Sequence, residues 1–273
     1  MKKVLSLTVA GILLIFTTAC NNSEATSTED ILNKSMQAME ELTSYSMVTE
    51  SHQVLGMTGE DNIDISTHAE VDLLLDPLTF YQHTSMDLGM LGGEMVYDTY
   101  FSEEYGLFME DPGSGDWAKF PDTLIDEFLN LTEAQLSPEE QLKPLQDYIS
   151  HLTLTTLDNH YVINLTGEGK EMEELVDQLS GMTADGMEEM LTQMMTEMDI
   201  KSLEYEIFID KETFYYTEAN IFIEMNLEVM EETIQVQQTS TMTFNNFNEL
   251  DDLVIPEDIL KNASELTEED VLG

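Results

Sequence analysis

The chain has 273 residues, of which 42% are hydrophobic and 24% are charged, a composition typical of a globular protein. Its 56 acidic residues outnumber 9 basic residues, all of them lysine, and the formal net charge is -47. This charge excludes a nucleic-acid-binding protein, because contacts with phosphate need clustered Lys and Arg side chains. It also excludes electrostatic docking on an anionic membrane surface. The single Cys excludes an internal disulfide and any site built on paired cysteines.

The N-terminal residues are typical of a processing signal. Lys2 and Lys3 precede an apolar stretch at 4–16, which is too short to cross a membrane. Cys20 follows this stretch after small residues, and here the chain resembles a bacterial lipoprotein precursor. The resemblance implies that residues 1–19 are a signal peptide and that Cys20, carrying a diacylglyceryl group, is the mature N-terminus. The alternative is an ordinary secretory signal with an incidental Cys.

The resemblance to a lipoprotein implies a place in the cell envelope, on the outer face of the cytoplasmic membrane, where two acyl chains anchor a protein stably. Residues 20–28 are predicted to form the lipidated Cys and a polar tether, 29–263 a single domain, and 264–273 an acidic tail. Neither a repeat of fixed period nor a Gly/Ser/Pro-rich linker divides the domain. The acid excess suits an exported protein that faces salt-rich or alkaline medium, since negative charge keeps it soluble there.

The first part of the domain is predicted to be a helix followed by a long β region. The helix begins near Thr28, with Glu29 and Asp30 in its first turn. From Ile63 to Leu75, apolar and small residues alternate with polar residues at a period of two, so this strand has one dry and one wet face. Further strands are predicted at 45–54, 78–88, 94–101, 105–110 and 117–120.

The middle of the chain changes to a helical period. Apolar residues at 121–131 have helical spacing, and Ser137 begins a second helix that runs to about Tyr148, with Pro138 at its first position and a capping-box acid. A hairpin joins 152–156 to 161–165. Residues 170–198 are rich in Met and are predicted to be helical, with an interruption near 181–186. These helices would either pack on the sheet in the ordinary way or form a deformable lid over an apolar cavity. The methionines of this stretch are Met187, Met190, Met194, Met195 and Met198.

The last third is predicted to be a β-meander. Its strands fall at 203–209, 215–229 and 234–244, and a short helix follows Pro256. Long amphipathic strands with a helix before them and helices between them favour an α+β fold, in which a curved antiparallel sheet forms a half-barrel with helices packed on its concave side.

Four segments carry a resemblance to a known family. They are 42–45 (LTSY), 205–214 (YEIFIDKETF), 241–248 (TMTFNNFN) and 255–260 (IPEDIL). They resemble an uncharacterised family of Gram-positive, Bacillales-type lipoproteins, which is similar in fold to the LolA and LppX/LprG lipoproteins. The resemblance implies a half-barrel of about eleven strands, a size that open sheets reach before curling. In characterised relatives, the concave side of this half-barrel carries acyl chains. Fold alone does not fix function.

Motifs for chemistry are missing from the sequence. The 5 His form no zinc-binding helix motif, and no nucleophile elbow is present. Residues 167–170 resemble a phosphate loop only superficially, because Glu171 occupies the position where Ser or Thr binds magnesium. The acids at 61–64 and 111–116 do not match a calcium loop. We therefore expect no enzyme activity, no metal and no cofactor.

These observations predict a lipid-anchored extracytoplasmic protein that holds an acyl chain or another apolar ligand between the curved sheet and the Met-rich helices. The alternative is an envelope-associated interaction module with a filled core, whose protein partner the sequence does not identify. A pocket of about 300 Å³ or more favours binding, and close packing favours the module. The predicted cavity lining consists of Ile63, Ile65, Val71, Leu73, Met190, Met194, Ile221, Ile223, Met225 and Leu227.

Overall fold

A computed structural model describes residues 27–57, 61–125, 129, 136–170, 172–173, 175–176, 195–229 and 232–272. The predicted features that lie outside these residues include the signal peptide, the lipidation site Cys20, the interruption near 181–186, and the methionines Met187, Met190 and Met194.

Helix α1 (Thr28–Glu40) begins where the sequence predicts. Ser27 is its N-cap: the Ser27 hydroxyl accepts a hydrogen bond from the Asp30 amide at 3.0 Å, and the Asp30 carboxylate accepts one from the Ser27 amide at 3.4 Å. This reciprocal capping box satisfies two amide groups that the first helical turn leaves without partners. Ile31, Leu32 and Met39 are buried on one side, so the apolar face of α1 packs into the core.

The described strands form one sheet of 12 strands in the order β12-β6-β5-β4-β3-β2-β1-β11-β10-β9-β8-β7. Neighbouring strands are antiparallel, except that β12 runs parallel to β6. The sheet is curved and does not close, which confirms the predicted α+β class with a curved antiparallel sheet. The strands are β1 (Ser44–Met57), β2 (Ile63–Leu75), β3 (Leu78–Asp87), β4 (Glu94–Ser102), β5 (Gly106–Glu110), β6 (Trp117–Lys119), β7 (Thr153–Thr156), β8 (His160–Gly167), β9 (Met195–Asp210), β10 (Tyr216–Val229), β11 (Glu232–Asn245) and β12 (Ser264–Glu265).

The second predicted helix is shorter than expected. Helix α2 (Pro138–Leu142) ends before Pro144, and a 3-10 segment (Lys143–His151) follows it. The prediction of one helix through Tyr148 is wrong because proline lacks an amide hydrogen and disrupts the α-helical bonding pattern. Ser137 is the N-cap residue, but its side chain makes no capping hydrogen bond, so the predicted capping box is also wrong.

The predicted helical stretch 170–198 ends too late. Residues 195–198 belong to β9, where Met198 pairs with Leu227 and Met195 with Val229 of β10. Met and Glu favour helices when considered alone, but pairing with a long neighbouring strand outweighs that local preference. Farther upstream, Met172, Leu175 and Val176 are helical and buried, as the pattern predicts.

The C-terminal residues are attached to the domain. Helix α3 (Glu257–Asn262) follows Pro256 as predicted, and the segment predicted as an acidic tail contains β12 and helix α4 (Glu268–Leu272). The Leu266 amide donates to the Lys119 carbonyl at 2.9 Å, and the Thr123 hydroxyl donates to the Glu268 carboxylate at 2.7 Å.

The main core lies on the face of the sheet that packs with α1 and α2, which we call the inner face. Cross-strand neighbours from five strands form one buried row on it, consisting of Tyr45, Leu73, Phe80, Phe101 and Leu107. The opposite, outer face carries a second, smaller cluster, in which Phe108 packs with Ile255 and with Ile259 of α3.

Candidate functional site

Charge is segregated between the two faces of the sheet. On β2 the inner positions run from Ile63 to Leu75 without a charge, while Asp64, His68 and Glu70 occupy outer positions. Because paired residues of neighbouring strands lie on the same face, the same alternation of uncharged inner and polar outer positions continues across the adjoining strands. No charged side chain occupies an inner position in the described stretches 45–55, 63–75, 78–86, 95–101, 203–209, 219–227 and 234–244.

One end of the inner face is filled. The centroid of the Phe244 ring lies 4.6 Å from that of Tyr216 and 5.9 Å from that of Tyr45. The Tyr216 amide contacts the sulfur of Met39 in α1 at 3.3 Å. The Tyr45 hydroxyl donates to the Leu136 carbonyl. Burial, and secondly a nearby carboxylate, raise the pKa of Tyr45 far above its ordinary value. These contacts describe a dry, closely packed region.

Two of the predicted lining residues belong to this filled end. Val71 is 3% exposed and Leu73 is 0% exposed, and both are part of the same core cluster as the buried residues of α1. Their side chains are therefore buried in the core of this structure.

The six other predicted lining residues that the structure describes come together toward the opposite end of β1 and β2. In one row Ile65 pairs with Gln53, Gln53 with Gln238, and Gln238 with Ile223. In the next row Ile63 connects in the same way through Leu55 and Val236 to Met225. The half-buried residues of these rows and the adjoining ones are Leu55, Ile63, Ile65, Ile221, Ile223 and Leu227, and Met225 is 9% exposed. We call this region the inner patch.

Uncharged polar side chains cross the inner patch and satisfy one another. The hydroxyls of Ser51 and Ser240 lie 2.9 Å apart. The Gln53 amide donates to the Gln238 side-chain oxygen at 3.3 Å, and the Gln238 amide donates to the Ser240 hydroxyl at 3.0 Å. None of these residues is among the predicted lining residues, because each is polar. A signal exists in β1, where uncharged Ser51 lies between Glu50 and His52.

The outer face carries exposed pairs of His and carboxylate. Nδ1 of His83 lies 2.6 Å from Asp98, and Nε2 of His68 lies 3.2 Å from Glu70. The His68 side chain is 41% exposed and lies on the wet face that the alternation along β2 predicts. Exposed pairs of this kind contribute little to stability.

The described part of the chain shows neither a cluster of metal-ligating side chains nor a membrane-spanning helix. Over these residues, no three His, Cys, Asp or Glu side chains come together as they would around a metal ion. No helix in the same ranges has the length and apolar character needed to cross a membrane.

Comparisons with known proteins give weak structural likenesses. No curated protein matches the chain. A DUF1329 family protein from Desulfovibrio piger is 9% identical with a TM-score of 0.27, covering 85% of this chain and 96% of that one. A LolA superfamily protein from Nitrosomonas europaea is 10% identical with a TM-score of 0.21, covering 86% and 98%. A beta-barrel-like protein of domain of unknown function DUF1849 from Brucella abortus is 8% identical with a TM-score of 0.21, covering 77% and 100%.

At such identities and TM-scores, these likenesses define neither a ligand nor a function for this chain. The comparison of sequence families is more informative. Residues 27–264 match the family described as "Family of unknown function (DUF6612)". This range runs from the N-cap of α1 to the first residue of β12, and so includes the inner patch and the helices α1, α2 and α3. The chain therefore belongs to the DUF6612 family.

Proposed function

We propose that this protein is a lipid-anchored binding protein on the outer face of the cytoplasmic membrane, and that it holds an acyl chain or another apolar ligand on the inner patch. The observation that carries the proposal is the separation of charge. In the stretches of the sheet named above, the inner positions hold no charge although the chain has 56 acidic residues.

An apolar ligand suits this surface because neither partner loses hydrogen bonds when water leaves. A charged side chain buried against an acyl chain would be costly, and the inner patch has none among its described positions. Its polar groups already pair across β1 and β11, as the Ser51 and Ser240 hydroxyls do at 2.9 Å. Polar groups that are paired before binding do not become unsatisfied when an apolar chain covers them.

The proposed anchor is the diacylglyceryl group on Cys20. The segment 21–27 would then connect the membrane to α1, which begins at Thr28. At full extension it reaches roughly 25 Å, so the domain would stay close to the lipid surface. Such a position suits a protein that takes up or delivers acyl chains, and the proposed activity is binding rather than catalysis.

The test of ligand binding pairs lipid content with stability. Native mass spectrometry of protein purified from membranes should detect co-purified lipid. Ile223→Trp and Ala69→Trp place a bulky ring at half-buried inner positions, and Thr239→Trp places the same ring at an exposed outer position of β11. We expect both inner variants to lose the lipid with little change in unfolding temperature, and the outer variant to keep it.

The opposite result has a clear meaning. In a closely packed core, the same inner substitutions would cost about 1–3 kcal/mol. If they destabilise the protein to that extent, and the parent carries no lipid, the binding proposal is rejected and the interaction module is favoured instead.

The anchor is tested separately with Cys20→Ala in a Gram-positive host. We expect this variant to leave the membrane fraction, while a Ser23→Ala control stays in it. Equal retention of both variants in membranes would reject lipidation at Cys20.

A further inference from the structure

A groove of about 870 Å³ lies at the end of the sheet farthest from the inner patch. Its walls come from the β2–β3 turn at Asp76 and Pro77, the β4–β5 turn at 103–105, and the segment 250–255. Along β2, Ile65 of the inner patch is separated from Leu74 at the groove by roughly 30 Å. The groove is therefore a different surface from the proposed ligand site.

The groove is lined with negative charge. The carboxylates on its walls are exposed and make no ion pair with any lysine or histidine in the described part of the chain. Glu103 is held in place, because its carboxylate accepts a hydrogen bond from the Leu78 amide at 3.1 Å. The acidic residues of the groove are Asp76, Glu103, Glu104, Asp251 and Asp252.

The same groove exposes large apolar side chains. Val254 is 75% exposed and Tyr105 is 44% exposed, and both line the groove. The segment that carries Val254 is fixed at both ends: the Leu250 amide donates to the Ser44 hydroxyl at 3.2 Å, and Ile255 is buried in the outer cluster. Val254 is thus held toward solvent by an anchored segment.

The backbone of this segment has no hydrogen-bonding partner within the described part of the chain. This holds for every amide and carbonyl between Asp251 and Val254. Consecutive backbone groups without partners bind extended peptides in many complexes, where main-chain hydrogen bonds give affinity and side-chain pockets give specificity.

We propose that the groove binds an extended, basic segment of a partner protein. Lys or Arg side chains of that segment would face the groove carboxylates, an apolar side chain would contact Val254 and Tyr105, and the peptide backbone would pair with 251–254. Charge complementarity selects this partner over an acidic one, since like charges repel across an interface. The exposed apolar residues select it over an isolated metal ion, for which the described residues form no cluster.

The probe is a labelled peptide that alternates Lys and Val, and its binding to the full-length protein in detergent is followed by fluorescence anisotropy. Two comparison peptides separate the contributions of charge, apolar contact and backbone hydrogen bonding to the affinity. One alternates Lys and Gly and keeps only the charge, and the other is the Lys-Val peptide with alternate amides N-methylated. We expect each to bind about tenfold more weakly than the probe, because each lacks one of the proposed contacts.

Two matched sets of substitutions test the location. Glu103→Gln, Asp251→Asn and Asp252→Asn together remove three charges from the groove. Glu204→Gln, Glu206→Gln and Glu224→Gln remove the same charge from the outer face of β9 and β10. We expect the groove set to weaken binding about tenfold and the outer set less than twofold. Val254→Ser, at a position too exposed to affect folding, should weaken binding as well.

Equal weakening by both triple variants, or equal binding of the Lys-Val and Lys-Gly peptides, would overturn the proposal, because either result shows general attraction to an acidic protein. An unaffected Val254→Ser variant would do the same. These results are independent of lipid content, so they do not decide the proposed function.

Discussion

The side chain of Met172 packs directly on the backbone of Gly167. Gly167 ends β8, where it pairs with Leu203 of β9 on the inner face. A Cβ atom added at Gly167 would lie 2.6 Å from Cγ of Met172 and closer still to its sulfur. The Met172 amide donates to the Gly169 carbonyl at 2.9 Å, so the turn positions this side chain over the glycine. A Cβ atom at this position would therefore displace the buried Met172 side chain from its contact with β8.

Gly167→Ala should therefore lower the free energy of unfolding by about 1–3 kcal/mol, the usual cost of overpacking. Urea denaturation measures this change. Gly56→Ala in β1 is the matched control, because Gly56 lies in an extended strand and the nearest atom to a Cβ there, Oδ1 of Asn62, is 3.4 Å away, an ordinary van der Waals contact. Equal stability of the two variants would contradict the close packing of Met172 on Gly167.

The buried hydroxyls of Tyr205 and Tyr216, 3.3 Å apart, predict a loss of stability at alkaline pH. Burial raises the pKa of Tyr205 to about 12 and that of Tyr216 well above its ordinary value. The folded protein therefore holds these phenol protons at a pH where the unfolded chain, with an ordinary tyrosine pKa of about 10, releases them. Stability should fall as pH rises above about 10 and be unaffected by these groups at neutral pH.

Thermal unfolding between pH 8 and pH 11 measures this effect. Replacing both tyrosines with Phe should reduce the alkaline loss, while a Tyr97→Phe control at a half-buried inner position should leave it unchanged. Ultraviolet titration of tyrosinate on the parent provides a second readout. Early ionisation of every tyrosine in the folded protein would contradict the prediction.

The strands were predictable from the sequence because a period of two is a strong signal. The pattern from Ile63 to Leu75 gives both ends of β2. The helix preference of individual residues was misleading in two places. Pro144 ends a helix earlier than predicted, and residues 195–198 belong to β9 because they pair with β10. Pro144 lies inside the predicted helix, whereas the strand pairing that decides 195–198 comes from β10, outside the local pattern.

The candidate site was predictable only in part. Alternation assigns Ile65 and Ile223 to an apolar face, but it cannot tell which strands are neighbours. Ser51 and Ser240 are 189 positions apart in the sequence and meet only because β1 pairs with β11. Alternation also could not distinguish Leu73, which is in the filled end, from Ile63 in the inner patch, because both occupy apolar positions of the same strand.

Asp210 organises the turn between β9 and β10. Its carboxylate accepts hydrogen bonds from the Glu212 amide at 3.0 Å and from the amide and hydroxyl of Thr213 at 2.8 and 2.9 Å. Partial burial raises the pKa of Asp210, but these hydrogen bonds outweigh it, and the net pKa lies below the ordinary value. The resulting stability is present above the ordinary Asp pKa of about 3.9 and is lost as pH falls through the lower, folded value.

Asp210→Ala should cost about 1 kcal/mol at neutral pH, as for a capping carboxylate, and less at acidic pH. Asp158→Ala in the β7–β8 turn is the control, because the Asp158 group that forms a hydrogen bond is its backbone carbonyl, which accepts from Lys211. Urea midpoints at pH 7 and pH 3 give the comparison. A difference between the two variants that does not shrink at pH 3 would contradict the role of the ionised carboxylate.

Salt should stabilise this protein, because a net charge of -47 leaves repulsion between its acids that unfolding relieves. Raising NaCl from about 0.1 M to about 1 M shortens the screening length from roughly 10 Å to roughly 3 Å, so the unfolding temperature should rise. The triple variant Glu204→Gln, Glu206→Gln and Glu224→Gln carries less charge and should show a smaller rise. An unfolding temperature that stays level or falls with NaCl would mean that local ion pairs matter more to this fold than its net charge.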